Sequence, residues 1–315
     1  MTRKLAIVGA SGKLGFATLN ALLDHKLLAP EDIVCTTSSS TGAQKLQPAR
    51  QRGVEVRSAE WDDRTSWTSA LQGCSSMFLI SSARVEKDFN EAPPGQGRER
   101  DHFTALEAAQ QVGVQHVYYT SLAFANPSLS RVMKAHERTE QYLKESSFTY
   151  TIIREGLYNE SWPLYLGHYH LPNDNDRSEI VVAGDSKINW TSIEDLGLAT
   201  AIILTTSSSS DYHNKTLYLA QRQAHTLAEV AAMVSQARSS EIQLRVVSRA
   251  EHERYYIEER GEPELYIKWW SKTYDALRAN ECEMKDDDDD HLEKLLGSKG
   301  RKPKHMSETE WRGGD

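Results

Sequence analysis

Short apolar runs alternate with helical patterns through the first half of the chain. Leu5 to Val8 is wholly apolar and stops at Gly9, as expected of a strand buried on both faces of a parallel sheet. Leu14 to Leu28 has the periodicity of a helix. Ile33 to Thr36 and Val54 to Arg57 read as the second and third strands. Ser66 to Leu71 reads as a short helix leading into a fourth strand, Met77 to Ile80. A helix over Arg98 to Val112 sets Phe103, Leu106 and Val112 at helical spacing, with Gly113 as its C-cap. His116 to Thr120 is a fifth strand, Val132 to Lys144 a helix, and Tyr150 to Ile153 a sixth strand. This rhythm predicts an α/β fold, a Rossmann-type doubly wound parallel sheet with right-handed crossovers.

The pattern is less regular beyond the sixth strand. Pro163 to Arg177, with Pro172-Asn173-Asp174-Asn175-Asp176, reads as a surface loop. Ser192 to Leu204 is helical in pattern and Leu217 to Ala220 extended. Thr226 to Ala237 is a helix whose Thr226 and Glu229 fit a capping box. Tyr266, Trp270 and Tyr274 share one helical face, which reads as core; as the wall of a cleft it would suit a flat aromatic substrate. The expected division is a dinucleotide-binding domain over residues 1–155. A smaller C-terminal α/β lobe over 156–315, for substrate or partner, is interleaved with the core. Its polar tail starts at about 283 and includes the acidic run Asp286 to Asp290, expected to be solvated.

Composition narrows the function. The 315 residues are 39% hydrophobic, enough for a sizeable core, and carry a formal net charge of -8. Such a chain is not expected to present a broad nucleic-acid surface or to seek anionic membranes. Cys35, Cys74 and Cys282 lack metal-ligand spacing and suit a reducing compartment, so no metal site is expected. The apolar run before Gly9 is too short for a signal peptide or a span, and a cytoplasmic location is expected.

The sharpest chemistry lies in Gly9-Ala10-Ser11-Gly12-Lys13-Leu14-Gly15, a G-x-x-G-x-x-G turn between a strand and a helix. The first glycine lets the chain turn, the second leaves room for a pyrophosphate, and the third lets helix and sheet approach. The helix N-terminus then offers free N–H groups and a positive dipole end to phosphate. This reads as a nicotinamide dinucleotide site. After the second strand comes Cys35-Thr36-Thr37-Ser38-Ser39-Ser40, with no acid to repel a 2′-phosphate and hydroxyls able to donate to one. That favours NADP(H), with NAD(H) as the alternative.

Taken in order, several segments resemble the NmrA-like branch of the atypical short-chain dehydrogenase/reductase superfamily, the quinone oxidoreductase 2 type and fungal NmrA-like oxidoreductases in particular. They are the glycine turn, Leu71-Gln72-Gly73, Phe78-Leu79-Ile80-Ser81-Ser82, Tyr119-Thr120-Ser121-Leu122, His136 with Thr139-Glu140, Arg154-Glu155-Gly156-Leu157-Tyr158-Asn159-Glu160, Asp195 after Trp190, and Leu292 to Gly297. The resemblance covers residues 1 to about 250 and the tail piece. It implies that Trp61 and Asp62 lie near the adenine, and that Ile80, Ser81 and Ser82 pass the adenosine ribose and pyrophosphate. It also implies that Gly156, Leu157, Tyr158, Asn159 and Glu160 form the loop beside the nicotinamide. Relatives of the quinone oxidoreductase type carry Arg just after the second strand where this chain has Ser38, which leaves both cofactors open.

Short-chain dehydrogenases normally place Tyr and Lys four residues apart on one helix. The resemblance puts Val132 and His136 at those positions, so the usual pair is absent. His136 then either holds the ribose or shuttles a proton, or it bonds within the fold. Ser121, at the end of the fifth strand, could orient a carbonyl or only cap a turn. Tyr158 could stack on or line the pocket, or only pack. Two functions follow. One is an NAD(P)H-dependent oxidoreductase reducing a quinone or conjugated carbonyl, with fungal secondary metabolism as a setting the resemblance suggests. The other is a non-catalytic NADP(H) sensor that binds a protein partner. The hydride chemistry belongs to the cofactor, so a missing acid does not exclude the first.

Overall fold

The computed structural model describes residues 4–169, 174, 177–206, 209–285, 291–309 and 311. Its strands are β1 Lys4–Val8, β2 Ile33–Thr37, β3 Glu55–Ser58, β4 Cys74–Leu79, β5 His116–Leu122 and β6 Thr149–Glu155, then β7 Leu157–Tyr158, β8 Glu179–Val182, β9 Trp190–Thr191, β10 Lys215–Leu219 and β11 Gln243–Val246. The helices in chain order are α1 Lys13–Asp24, α2 Ser40–Lys45, α3 Gln47–Gln51, α4 Arg64–Ala70, α5 Glu99–Gln111, α6 Met133–Glu145, α7 Trp162–Tyr165 and α8 Ile193–Thr205. They continue with α9 Leu227–Arg238, α10 Arg249–Arg254, α11 Glu264–Trp270, α12 Lys272–Arg278 and α13 His291–Gly297.

Seven strands form one sheet in the order β10-β6-β5-β4-β1-β2-β3, every neighbouring pair parallel. The chain therefore reverses its direction of travel between β1 and β4, where Val8 pairs with both Thr36 and Leu79. Open α/β sheets bind ligands beyond the strand ends at such a point.

Strand alternation sorts the side chains between two cores. Ile7, Phe78, Tyr118 and Ile153 pack under α1 and α8, with Leu292, Leu295 and Leu296 of α13 closing that layer. Ala6, Val8, Met77, Val117, Tyr119 and Ile152 pack under α4, α5 and α6. The helices α1 and α8 cross closely. A Cβ at Gly197 would lie 2.8 Å from Ala17, so only glycine fits there.

The second half returns to the core, since β10 completes the sheet beside β6. The rest builds a lobe from the parallel pairs β7–β9 and β8–β11 and from α9 to α12. Its core of Trp162, Tyr165, Trp190, Trp270 and Tyr274 also takes in Phe124, after β5, and Leu157, after β6. The lobe thus sits against the C-terminal ends of those strands.

Several expectations are corrected. The first helix stops at Asp24 rather than Leu28, because Lys26 turns left-handed (φ 50°) and Leu27 folds back onto the Leu22 carbonyl. Ile80 lies just past β4, its N–H on the Val8 carbonyl. The span expected as a surface loop from Pro163 begins with α7, and Tyr165, Leu166 and Tyr169 are buried, because the lobe needs their apolar surface. Residues 170–173, 175 and 176 of that span lie outside the described residues, as does the acidic run 286–290. The aromatic stripe is core, as read, but on two helices broken at Ser271. There Trp270 and Tyr274 are buried, and the Tyr274 hydroxyl donates to the Tyr165 carbonyl at 3.0 Å. The Thr226–Glu229 capping box is present. Among the described residues no helix is long and apolar enough to cross a membrane.

Candidate functional site

The glycine turn divides its three glycines by role. Gly9 takes φ +81°, a conformation that excludes most side chains. The Gly12 N–H bonds back to the Gly9 carbonyl at 3.0 Å, tightening the turn. A Cβ at Gly15 would meet the Gly9 carbonyl oxygen at 2.4 Å and Ile80 Cδ1 at 2.8 Å, so this glycine exists for packing. At Gly12 a Cβ would meet only the Gly9 oxygen, at 3.2 Å, and Gly12 is exposed. Gly12 is also the N-cap of α1, with no side chain bonding the first-turn N–H groups. An open, uncapped helix start of this kind could hold an anion such as a pyrophosphate.

The loop after β2 abuts this turn. A Cβ at Gly42 would lie 2.2 Å from Thr37 Oγ1 and 2.9 Å from Ser11 Oγ, so the loop and the turn share a wall. Ser39 caps α2 by accepting the Gly42 N–H at 3.0 Å, while Ser38 is exposed. The short helix brings Lys45 back over α1, its ammonium 4.7 Å from the Phe16 ring centroid. Sequence reading sought a base at the strand end and missed this one, which arrives through a helical turn.

Just past β3, Trp61 is half-buried against Trp67 (4.9 Å between centroids). Asp62 is exposed and held bidentate by Arg84, at 2.5 and 2.8 Å, which keeps its pKa down at about 2. Arg84 continues to the buried Asp101, shared with Lys87. Ile80 covers Gly9 and Gly15. The Ser81 N–H donates to Thr120 Oγ1 at 3.1 Å. Ser82 faces inward: its hydroxyl donates to Asp101 at 2.7 Å and its N–H to His102 Nε2 at 2.9 Å. His102 was not singled out by the sequence. With Nε2 accepting, its proton sits on Nδ1, 2.8 Å from Thr139 Oγ1, and burial pushes its pKa down to about 3. Arg98, also buried, ties the Ser82 and Val132 carbonyls together at 3.1 Å each.

The three candidate catalytic residues are not joined by any hydrogen bond. His136 is buried, with Nδ1 3.0 Å from the Tyr119 hydroxyl; burial and then the charge of Arg98 hold it well below the usual histidine range. Val132, half-buried, packs against the lobe core. Ser121 donates to Glu140 at 2.7 Å, and Glu140 is held bidentate by Arg154 at 2.7 and 3.0 Å. Tyr158 lies with the α1/α8 layer instead, its hydroxyl 3.0 Å from Glu155 Oε2. Gly156 is forced by close packing, since a Cβ would sit 2.2 Å from Thr191 Oγ1. Leu157 and Asn159 are buried, and Asn159 Oδ1 has no partner among the described residues. Asn159 and Glu160 form part of the wall of a cavity of about 970 Å³, with Lys13, Trp162, Ile193 and Lys304.

The description of the NmrA-like family matches residues 1–263. The chain belongs to the NmrA-like family. Quinone oxidoreductase 2 of Escherichia coli is 31% identical over 251 residues, 78% of this chain and 79% of that protein. The crystal structure of that enzyme with NADPH matches at a TM-score of 0.78, over 96% of this chain and 97% of its own. The NmrA-like oxidoreductase flvB of Aspergillus flavus is 29% identical over 245 residues, 77% of this chain and 74% of that protein. Triphenylmethane reductase of Citrobacter sp., crystallised with NADP(H), is 26% identical with a TM-score of 0.79, over 97% of this chain and 98% of its own. Within this NmrA-like chain His102, Arg98 and Glu155, to which sequence reading gave no role, are all buried. A buried polar residue looks like an exposed one in a linear pattern.

Proposed function

We propose that this NmrA-like chain binds NADP(H) across the C-terminal edge of its sheet and reduces a quinone or another conjugated carbonyl. The observation that carries the reading is the open space and uncapped helix start at Gly12, walled by Ser11 and the carboxylate-free Thr37–Gly42 loop. NADP(H) in the triphenylmethane reductase crystal and NADPH with quinone oxidoreductase 2 support it. In this reading residues 1–155 hold the dinucleotide and 156–315 supply the substrate lobe.

Gly9, Ala10, Ser11, Gly12, Lys13, Leu14 and Gly15 receive the pyrophosphate, through backbone N–H groups and the dipole of α1. Ser38 and its hydroxyl neighbours face the 2′-phosphate, with Lys45 supplying positive charge. Trp61 and Asp62 flank the adenine. Ile80 and Ser81 border the ribose, and Ser82 fixes their backbone through Asp101 and His102. Gly156, Leu157, Tyr158 and Asn159 border the nicotinamide. When bound, the nicotinamide supplies the hydride. His136 is neutral and bonded internally, so it serves ribose placement rather than acid catalysis. The substrate is a small molecule, with no role for nucleic acid or membrane, and the location is cytoplasmic.

The sensor reading has one observation in its favour: Val132 has no proton to give, and the Ser121 proton is committed to Glu140. NADPH oxidation against a small quinone panel, beside NADPH and NADH binding, separates the two. Turnover is expected; a pure protein that binds NADPH and reduces no quinone is a sensor.

A further inference from the structure

Glu155 closes β6 with none of its surface exposed. The one hydrogen-bond partner of its carboxyl among the described residues is the Tyr158 hydroxyl, 3.0 Å from Oε2, and Oε1 has none. Its neighbours across the sheet are Leu122 on β5 and Leu219 on β10. An ionised carboxylate accepts at both oxygens and is costly to bury without donors. A protonated carboxyl has one O–H to place and leaves only a neutral carbonyl oxygen. The Tyr158 oxygen is the available acceptor for that O–H. With the bond so directed, Tyr158 accepts from Glu155, and its own phenolic hydrogen is free. Tyr158 is half-buried, and its hydroxyl has no other hydrogen-bond partner among the described residues.

The charged and titratable groups near the pair do not relieve Glu155. Glu160 and Tyr165 act on Tyr158, while Lys13 of α1 and Lys304 of the tail act on Glu160. No described cation pairs with Glu155 itself, and burial pushes its pKa up to about 8.

We propose that Glu155 and Tyr158 are the proton-donating pair of this site, Tyr158 protonating the reduced acceptor and Glu155 replenishing Tyr158 from behind. The proposal rests on the oxidoreductase reading. The acceptor gains a hydride, and so two electrons, from the reduced cofactor, which leaves oxidised. The Tyr158 O–H bond breaks as an O–H bond forms on the acceptor. The Glu155 O–H bond breaks as the Tyr158 O–H reforms. After product leaves, one proton from water returns through Tyr158 to Glu155. Tyr158 touches the acceptor; Glu155 acts through it. The pair supplies what Val132, His136 and Ser121 do not.

The test uses the full chain, Glu155→Gln and Tyr158→Phe, with NADPH and a water-soluble benzoquinone. Infrared difference spectra of wild type against Glu155→Gln read the carboxyl directly. A protonated-acid carbonyl band is expected at neutral pH and should vanish on raising the pH through about 8. At saturating NADPH, where any change in cofactor affinity drops out, both variants should lose roughly tenfold or more in kcat. The alkaline fall in wild-type kcat should disappear in Glu155→Gln. A carboxylate band at neutral pH, or wild-type rates in both variants of an active enzyme, overturns the proposal alone. A wild type that binds NADPH and reduces no quinone overturns the oxidoreductase reading and the proposal with it.

Discussion

At the scale of single residues, the glycine turn shows how one residue type serves three ends. Gly9 is required by its backbone angle, Gly15 by the atoms around it, and Gly12 only by the space it leaves. That distinction makes a prediction. Gly12→Val should fold with near-native stability, since its Cβ meets one atom, at 3.2 Å, and the position is exposed. It should abolish dinucleotide binding, because the isopropyl group fills the pyrophosphate space. Calorimetry on the folded variant checks this, and unchanged affinity rejects the site. A second prediction concerns the exposed Ser38. NADPH should bind more tightly than NADH, and Ser38→Asp should reverse the order, because a carboxylate repels the 2′-phosphate and accepts from ribose hydroxyls. Parallel titrations decide, and a wild type preferring NADH shows the loop to be misread. The sequence displayed Gly12 and Ser38 plainly. It did not display that the Ser82 and Ser121 hydroxyls are committed to Asp101 and Glu140, since those partners are 19 residues away in each case.

At the scale of elements, periodicity carries the order of strands and helices well, and fails where packing overrides local preference. The helix carrying the aromatic stripe looks continuous in sequence. Ser271 nevertheless ends it and donates to Glu253 at 2.6 Å, and α12 restarts beyond. The parallel pair β7–β9 is only two residues long on each side, too short for any alternation to register. The crossing of α1 and α8 is likewise invisible until both helices are in place. It yields the third prediction: Gly197→Val should destabilise the protein by about 1–3 kcal/mol, because its side chain must push into the backbone of α1 at Ala17. Shifting α1 also moves the glycine turn at its start, so NADPH affinity should fall as well. Thermal unfolding and calorimetry measure the two effects, and a native melting temperature refutes the close crossing.

At the scale of the whole molecule, buried titratable groups give stability a shape in pH. His102 is pushed down to about 3, and His116 and His252 to about 4, from about 6.5 in the unfolded chain. Their folded pKa values are depressed, so the unfolded state takes up protons first. Their stabilising contribution is present above about pH 6.5 and is lost as pH falls toward 4. Glu155 runs the other way. Its folded pKa, about 8, is raised above the ordinary 4.5, so its contribution is full below 4.5 and lost as pH rises through 8. The fourth prediction is a melting temperature that falls as pH drops from 6.5 to 4 and, less steeply, as pH rises from 6.5 to 8, with the alkaline decline removed in Glu155→Gln. A flat profile across both ranges would falsify the burial assigned to these groups. By itself the sequence determined the order of the six leading strands, the glycine turn and the capped helix at Thr226. Each depends on residues adjacent in the chain, whose periodicity and backbone freedom act locally. Only the tertiary structure decided that His136 is neutral, that Lys45 reaches back over α1, and that Glu155 stands behind Tyr158. Those states depend on solvent exclusion and on partners from distant strands and helices, and neither exists until the sheet has closed over its two helical layers.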